Sequence, residues 1–236
     1  SLVADFMATR SYLITDDMIL KIADLTPANA QVTEIDLRGA KVTPTGISAL
    51  ARLPQLRSLN LSGSMLPEAE LAAIGELTQL EVLILENAAL NNTKAVAIVP
   101  LTNLKQLNIS KTTVTDEGFQ HLTKLSKLES IICEGLLITG GGFEAFTGKY
   151  ANASLKEINV NNTMFGQLGF KHLKSMKQLE SLSAGNSQVT DAALKEIRGC
   201  TEMKILQLSA NNITDQGFKH LNSLKSLETL DVDGNA

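Results

Sequence analysis

Apolar residues recur along the chain with a fixed period of 24 residues. Leucines mark the period at Leu56, Leu80, Leu104 and Leu128, and after a three-residue insertion it resumes at Leu155. Within each period, apolar and polar residues first alternate, which predicts a short strand, and apolar residues then adopt helical spacing. A repeat of this length predicts a solenoid, because each unit buries its apolar face only by stacking on its neighbours.

The repeats divide the chain into an N-terminal unit and a repeat array. Residues 1–31 contain an imperfect turn and helix beginning at Ile14-Thr15-Asp16, and we interpret them as a capping unit, since a terminal repeat must cover the open edge of the core. Residues 32–236 form the array. Its eight full repeats start at residues 32, 56, 80, 104, 128, 155, 179 and 203, and a partial ninth starts at residue 227.

A polar segment with the pattern Thr-Asp-x-Gly-Phe, which we call the turn segment, joins each strand to the next helix. Its clearest copies are residues 115–119 and 214–218. The threonine side chain can cap backbone amides of the coming helix, and the acidic residue favours the positive end of the helix dipole. Each repeat is therefore predicted to hold a strand, a turn and a helix of two to three turns.

The strand pattern Leu-x-x-Leu-x-Leu, together with the turn segment after it, resembles the leucine-rich repeat family. It is most similar to the bacterial 24-residue type, which carries small residues where the cysteine-containing class has its cysteines. The resemblance covers about residues 32 to 236. It implies an α/β fold, a right-handed solenoid shaped as a horseshoe, with a parallel sheet on the concave face and short α-helices on the convex face. One departure is that the asparagine many members keep after the strand occurs only at Asn211 and Asn235.

Composition and charge narrow the classes of partner. A net charge of −4 and a pI near 5.5 argue against a nucleic-acid binder, which normally carries a basic excess.

The apolar runs are too short to predict a transmembrane segment. Cys133 and Cys200 occupy core positions two repeats apart, too far for a disulfide, so nothing demands an oxidising compartment. We expect a soluble protein, either cytoplasmic or, since it begins Ser1-Leu2 without methionine, secreted after removal of an upstream signal.

The sequence lacks the motifs of the common enzyme classes, including phosphate loops, zinc-protease helices and nucleophile elbows. The three histidines, His121, His172 and His220, recur at one repeat position in alternate repeats, which separates them too widely to share a metal ion. We therefore predict no catalytic residue, no metal site, no cofactor and no enzymatic activity.

The outward-facing strand residues, which would line the concave face, are mostly small and polar. Repeats three to five depart from this pattern with three apolar residues flanked by glutamates, and an apolar patch with an acidic rim suits a partly basic protein segment. The plainer alternative is that β-branched residues suit strands anywhere. The predicted partner-binding surface consists of Val82, Ile84, Glu86, Gln106, Asn108, Ile132 and Glu134.

Two functions remain open from the sequence. The first is a non-enzymatic module that binds a protein or peptide through the concave sheet face. The alternative is an architectural or regulatory solenoid segment of a larger multidomain protein. The sequence stops at Ala236, after the last strand and without a closing helix, which favours the alternative or end-to-end self-association through the uncapped repeat.

Overall fold

The computed structural model describes residues 10–24, 31–147 and 154–236. Within them, nine three-residue strands, β1 to β9, form one parallel sheet in which each strand pairs with the next along the chain. The strands are Glu34–Asp36, Ser58–Asn60, Val82–Ile84, Gln106–Asn108, Ser130–Ile132, Glu157–Asn159, Ser181–Ser183, Ile205–Gln207 and Thr229–Asp231. The predicted insertion before Leu155 and parts of the proposed capping unit fall in residues 148–153, 1–9 and 25–30, outside the described residues.

The register is the same between all paired strands, because each residue lies beside its equivalent in the next repeat. Leu59, for example, pairs with Ile35 on one side and with Leu83 on the other. From β1 to β8 the central strand residue is buried in a continuous apolar core. Its two neighbours point to the opposite face, which we call the open face of the sheet. The predicted parallel sheet is confirmed.

Short helices return the chain from one strand to the next. The α-helices are Asp16–Ala23, Pro44–Ala49, Glu68–Gly75, Asp116–Phe119, Gly166–Leu173, Asp191–Leu194 and Asp215–Phe218. Turns of 3-10 helix are Ser11–Leu13, Leu50–Arg52, Lys94–Ile98, Gln120–Lys124, Gly141–Phe146, Glu196–Gly199 and Lys219–Ser223. The prediction of one α-helix of two to three turns per repeat is wrong for several repeats. Few residues separate the turn segment from the next strand, and short connectors of this kind commonly adopt 3-10 geometry.

Five phenylalanines form a buried cluster that joins three successive repeats. Phe143 lies at its centre, with ring centroids 5.2 Å from Phe119, 5.6 Å from Phe146 and 4.8 Å from Phe165. Phe170 extends the cluster, 6.0 Å from Phe165. The tilted and edge-to-face arrangements are those that aromatic rings favour. The cluster therefore ties the middle of the solenoid together.

The aspartate of the turn segment connects neighbouring repeats. The Asp116 carboxylate accepts hydrogen bonds from the backbone N–H and the hydroxyl of Thr139 and from the N–H of Gly142, each at 2.8 Å. Asp191 makes the equivalent bonds to Thr214 one repeat further on. The sequence predicts only that this aspartate acts at the dipole of its own helix. That prediction misses its hydrogen bonds to the next repeat. We call this inter-repeat contact the aspartate coupling.

Hydrogen bonds from the Thr214 backbone and hydroxyl lower the pKa of Asp191. A lowered folded-state pKa stabilises the fold above the ordinary aspartate pKa, and this stabilisation is lost as the pH falls through the folded-state value.

The threonine of the turn segment caps its own helix only in some repeats. The hydroxyl of Thr43 accepts a hydrogen bond from the N–H of Thr45, and that of Thr214 accepts one from Gln216. Thr115 and Thr190 make no such bond, and in repeat four the hydroxyl of Thr115 instead accepts from the Asn92 side chain of the preceding repeat. The predicted threonine cap is therefore correct for two of these four positions.

The glycine of the turn segment leaves room for the incoming coupling residue. A Cβ atom on Gly46 would overlap the Asp16 carboxylate, and one on Gly217 would overlap that of Asp191. Four aspartates or asparagines at the coupling position are matched, one repeat on, by threonine and glycine. The sets are Asp16 with Thr43 and Gly46, Asn92 with Thr115 and Gly118, Asp116 with Thr139 and Gly142, and Asp191 with Thr214 and Gly217.

We expect Asp116→Ala to lower the free energy of unfolding by about 1.5–3 kcal/mol, since it removes charge-assisted hydrogen bonds and leaves two backbone N–H groups unpaired. Asp116→Asn is expected to retain most of this stability, because Asn92 performs the same task in repeat three. Denaturant unfolding monitored by circular dichroism measures both. Equal losses for the two variants would show that charge, rather than hydrogen-bond geometry, makes the coupling.

Candidate functional site

The predicted binding residues lie on three neighbouring strands. Val82 and Ile84 begin and end β3, Gln106 and Asn108 begin and end β4, and Ile132 ends β5. Glu86 and Glu134 come two residues after β3 and β5. The strand alternation places the five strand residues on the open face.

The apolar patch differs from the predicted one in exposure and continuity. Val82, Ile84 and Ile132 are half-buried rather than fully exposed. Asn108 lies between the two isoleucines in the sheet register and separates them by two strand spacings, roughly 10 Å. Side chains on neighbouring strands shield one another at this spacing. The surface therefore consists of Val82 and Ile84 on β3 and Ile132 on β5, with the Asn108 amide between the two isoleucines.

A column of polar residues ends most strands and stabilises the adjoining turn. The side-chain oxygens of Asn60, Asn108 and Asn159 accept hydrogen bonds from the backbone N–H two residues further on, at 2.9–3.0 Å. Asp36 and Asp231 make the same bond in the first and last strands. We call these strand-end positions the asparagine column. Each such bond satisfies a backbone donor beside the open face.

Between β1 and β6, Ile84 and Ile132 interrupt the asparagine column, because an isoleucine side chain cannot accept this hydrogen bond. At the ends of β7 and β8, the Ser183 hydroxyl instead donates to the Gln207 side chain at 2.6 Å. The N–H of Glu134 is instead satisfied by the hydroxyl of Ser110 from the preceding repeat, at 3.1 Å. Each isoleucine thus gives up a turn hydrogen bond and leaves apolar surface half-exposed. Positions where a sequence departs from its own local rule are candidates for function.

One of the two glutamates in the expected acidic rim is neutralised within the chain. Glu86 pairs with Lys111 at 2.8 Å, and this hydrogen bond raises the pKa of the lysine. Glu134 accepts a hydrogen bond from the Asn162 side chain at 3.3 Å. The charge of Glu86 is therefore compensated within the chain, because Lys111 lies just after the next strand and reaches it.

A shallow groove on the open face extends the predicted surface toward the N-terminus. Three of its lining residues, Ile84, Glu86 and Asn108, belong to the predicted set, and its other side comes from the ends of the first two strands. Sequence reasoning did not single out these residues, because polar residues in and just after the strands carry no distinctive signal. The principal lining residues are Arg38, Asn60, Ser62, Ile84, Glu86 and Asn108, and we call this depression the open-face groove.

A second feature, the charge ladder, runs beside the strand starts. At the residue before each strand from β2 onward, the charge alternates in sign through Arg57, Glu81, Lys105, Glu129, Lys156, Glu180, Lys204 and Glu228. Lysines pair with the glutamate one repeat earlier, at 2.7 Å for Lys105–Glu81, 3.2 Å for Lys156–Glu129 and 2.6 Å for Lys204–Glu180. The alternation is visible in the sequence once equivalent repeat positions are compared.

The remaining predictions concern cysteines, metals and membranes. Cys133 and Cys200 are buried and free, and burial raises the pKa of Cys200 to about 11. Among residues 10–24, 31–147 and 154–236, no group of three His, Cys, Asp or Glu side chains is arranged to hold a metal ion. Across the same residues, no helix has the length and apolar character needed to cross a membrane.

Comparison with known proteins agrees with this geometry. Residues 28–51, 101–122 and 199–221 match the family model described as Leucine Rich repeat. The chain is similar to the structure of internalin C2 from Listeria monocytogenes, at 19% identity and a TM-score of 0.70, over 98% of this chain and 96% of that one. It is also similar to a leucine-rich repeat protein from Leptospira interrogans, at 23% identity and a TM-score of 0.64, over 93% of this chain and 57% of that one. No curated protein sequence is significantly similar.

Proposed function

We propose that this leucine-rich-repeat protein is a non-enzymatic module that binds a protein or peptide through the open face of its sheet, at β2 to β5. Proteins built from this repeat generally act in protein interactions. The observation that carries the proposal is the interruption of the asparagine column by Ile84 and Ile132. At both positions the chain gives up a stabilising hydrogen bond and keeps apolar surface on the open face.

The side chains on the open face of β3 to β5 define the kind of segment that would bind. Two apolar contacts roughly 10 Å apart, on Ile84 and Ile132, would receive apolar side chains of the partner. Asn108 and Gln106 between them offer amide donors and acceptors for its backbone. Because Glu86 is paired with Lys111 inside the chain, recognition would depend on shape and amide hydrogen bonds more than on net charge. The complex is therefore expected to weaken little with added salt.

The test replaces both isoleucines with the residue the chain itself uses at neighbouring positions. In the double variant Ile84→Asn and Ile132→Asn, the asparagine column is continuous from β1 to β6, so folding stability is expected to stay the same or rise. Affinity for the partner is expected to fall at least about tenfold, because each apolar contact is worth on the order of 1 kcal/mol or more. Affinity capture from the source organism's extract identifies the partner, and titration with the purified partner measures the loss.

A matched control removes the same number of exposed apolar residues away from the open face. Met65 and Leu137 are 77% and 74% exposed on the loops after β2 and β5. The double variant Met65→Asn and Leu137→Asn is expected to bind as the unaltered chain does. Retention of the same partner with undiminished affinity by the Ile84 and Ile132 double variant would contradict recognition through the open face.

A further inference from the structure

We infer that the segment bound by the open face is a proline-rich polyproline II helix that crosses the strands. Two of its apolar side chains, three residues apart, lie on Ile84 and Ile132, and its backbone carbonyls accept hydrogen bonds from the Asn108 amide between them. The inference rests on the proposed function, because it specifies the partner of the same surface.

The first support is the spacing of the two isoleucines. Ile84 ends β3 and Ile132 ends β5, and Asn108 lies beside both in the sheet register. The two apolar contacts are therefore two strand spacings apart, roughly 10 Å. A polyproline II helix has three residues per turn and rises about 3.1 Å per residue, so its residues i and i+3 lie on one side about 9 Å apart. Its side-chain repeat thus matches the separation of the isoleucines.

The second, independent support is the orientation of the amides in the asparagine column. The side-chain oxygens of Asn60, Asn108 and Asn159 accept hydrogen bonds from backbone N–H groups. A backbone N–H can only donate, so the oxygen must be the atom that faces it, and the Nδ2 group is left available. Among the described residues, no acceptor is bonded to these three Nδ2 groups. The column therefore presents hydrogen-bond donors to the open face.

A proline-rich segment matches a surface that offers donors. The carbonyls of a polyproline II helix make no internal hydrogen bonds and are free to accept from the asparagine amides. Proline has no backbone N–H, so the segment brings few donors to a surface whose amide oxygens are already engaged. The segment also needs no charge, in agreement with the internal pairing of Glu86 with Lys111.

Other backbone conformations match only one of the two supports or neither. In an extended strand, residues on one side are about 7 Å or about 13 Å apart, and neither distance fits the isoleucines. In an α-helix, residues i and i+7 are about 10.5 Å apart, which fits the spacing. The carbonyls of an α-helix are occupied by its own hydrogen bonds, however, so the Asn108 amide would lack backbone acceptors.

The isoleucine pair fixes a single register for the segment. Among the nine described strands, only β3 and β5 end in an apolar residue. The strand ends on either side are Asn60 of β2 and Asn159 of β6, which offer donors but no apolar contact. The surface is therefore expected to distinguish proline-rich segments by the number of residues between their apolar side chains.

The test uses three synthetic octapeptides, each made of six prolines and two leucines. The leucines are two, three or four residues apart, so the peptides share one composition and differ only in spacing. A fourth peptide keeps the three-residue spacing but has glycine in place of every proline, which removes the restriction to polyproline II geometry. Titration of the isotopically labelled chain, followed by NMR, measures each affinity and locates the residues that are contacted.

The proline peptide with leucines three residues apart is expected to bind about fivefold or more tightly than the other two, because it alone places both leucines on the isoleucines. The glycine peptide is expected to bind more weakly by about the same factor or more, since it must be ordered on binding. The double variant Ile84→Asn and Ile132→Asn is expected to abolish the difference between the three proline peptides.

Asn108→Asp tests the donor without removing the turn hydrogen bond. Aspartate keeps an oxygen to accept from the Ser110 N–H, as Asp36 does at the end of β1, so the fold is expected to be retained. A second carboxylate oxygen then replaces the Nδ2 donor, and affinity for the matching peptide is expected to fall about fivefold or more. Gln207→Glu is the matched amide-to-carboxylate control at the end of β8, beyond the reach of an octapeptide, and is expected to leave binding unchanged.

Three results would overturn the inference. Equal binding of the three proline peptides, or binding of none, would show that the open face does not read the spacing of a polyproline II helix. Unchanged affinity in Asn108→Asp would show that the amide does not act as a donor. Tighter binding of an α-helical peptide with leucines seven residues apart would make a helix the occupant.

Failure of the inference can be told apart from failure of the proposed function. If the captured partner is lost by the double isoleucine variant but the peptides show none of these effects, the open face binds a segment of another conformation, and only the inference fails. If the double isoleucine variant retains the partner with undiminished affinity, both fail.

Discussion

Replacing Phe143 with alanine is expected to lower the free energy of unfolding by about 3–5 kcal/mol, the range for removing a large buried aromatic side chain. Phe143 is fully buried and contacts aromatic rings from its own repeat and from both neighbouring repeats. The substitution removes these ring contacts and leaves a cavity in the middle of the solenoid. It acts on two inter-repeat interfaces at once.

Stability in a solenoid is approximately the sum of repeat and nearest-neighbour terms, so damage at one interface also affects cooperativity. We expect Phe143→Ala to broaden the denaturant transition or divide it into two steps. Circular dichroism measures the total loss, and hydrogen exchange locates it by comparing amides on either side of repeat five. A uniform loss along the whole chain would contradict a local interface defect.

Phe218 is the matched control, since it occupies the same position of the turn segment in repeat eight. It is only partly buried. Phe218→Ala is therefore expected to cost less than Phe143→Ala. Equal losses would show that the phenylalanine position, and not the aromatic cluster, determines the effect.

The sheet could be predicted from the sequence because its signal is local and repeated. The buried centre of most strands, such as Leu107, is flanked by polar residues with a period of two, and that alternation recurs in most repeats. A shift by one residue would bury Gln106 and Asn108 in the core. The local pattern alone therefore determines the register.

Other features could not be read from one repeat at a time. The hydrogen bond from Thr139 to Asp116 joins residues in different repeats, and it becomes visible only when each turn segment is compared with the next. The exposure of Ile84 depends on the side chains of β2 and β4 beside it. Likewise, the pairing of Glu86 depends on where Lys111 reaches after the next strand. These three features depend on contacts with residues of neighbouring repeats, and the period of apolar residues within one repeat does not reveal them.

The run Gly140-Gly141-Gly142 shows how three identical residues differ once their neighbours are known. Gly140 adopts a left-handed backbone with φ of 88°, and a Cβ there would overlap the Cα of Gly169 and lie 2.7 Å from its nitrogen. A Cβ on Gly142 would lie 2.7 Å from the carbonyl oxygen of Asp116. At Gly141 the nearest atom would be Leu168 Cδ2 at 3.4 Å, an ordinary contact.

We therefore expect Gly140→Ala to lower the free energy of unfolding by about 3 kcal/mol or more, since backbone strain adds to overlap with atoms that cannot move aside. Gly141→Ala is expected to change stability by less than about 1 kcal/mol, with stabilisation the favoured sign because alanine restricts the unfolded chain. Thermal and denaturant unfolding of the two variants compares chemically identical changes at adjacent positions. A loss at Gly141 as large as that at Gly140 would contradict the close backbone approach of repeats five and six. The expected contrast would show that this run needs glycine only where the backbone packs directly against a neighbouring repeat, as at Gly140 and Gly142.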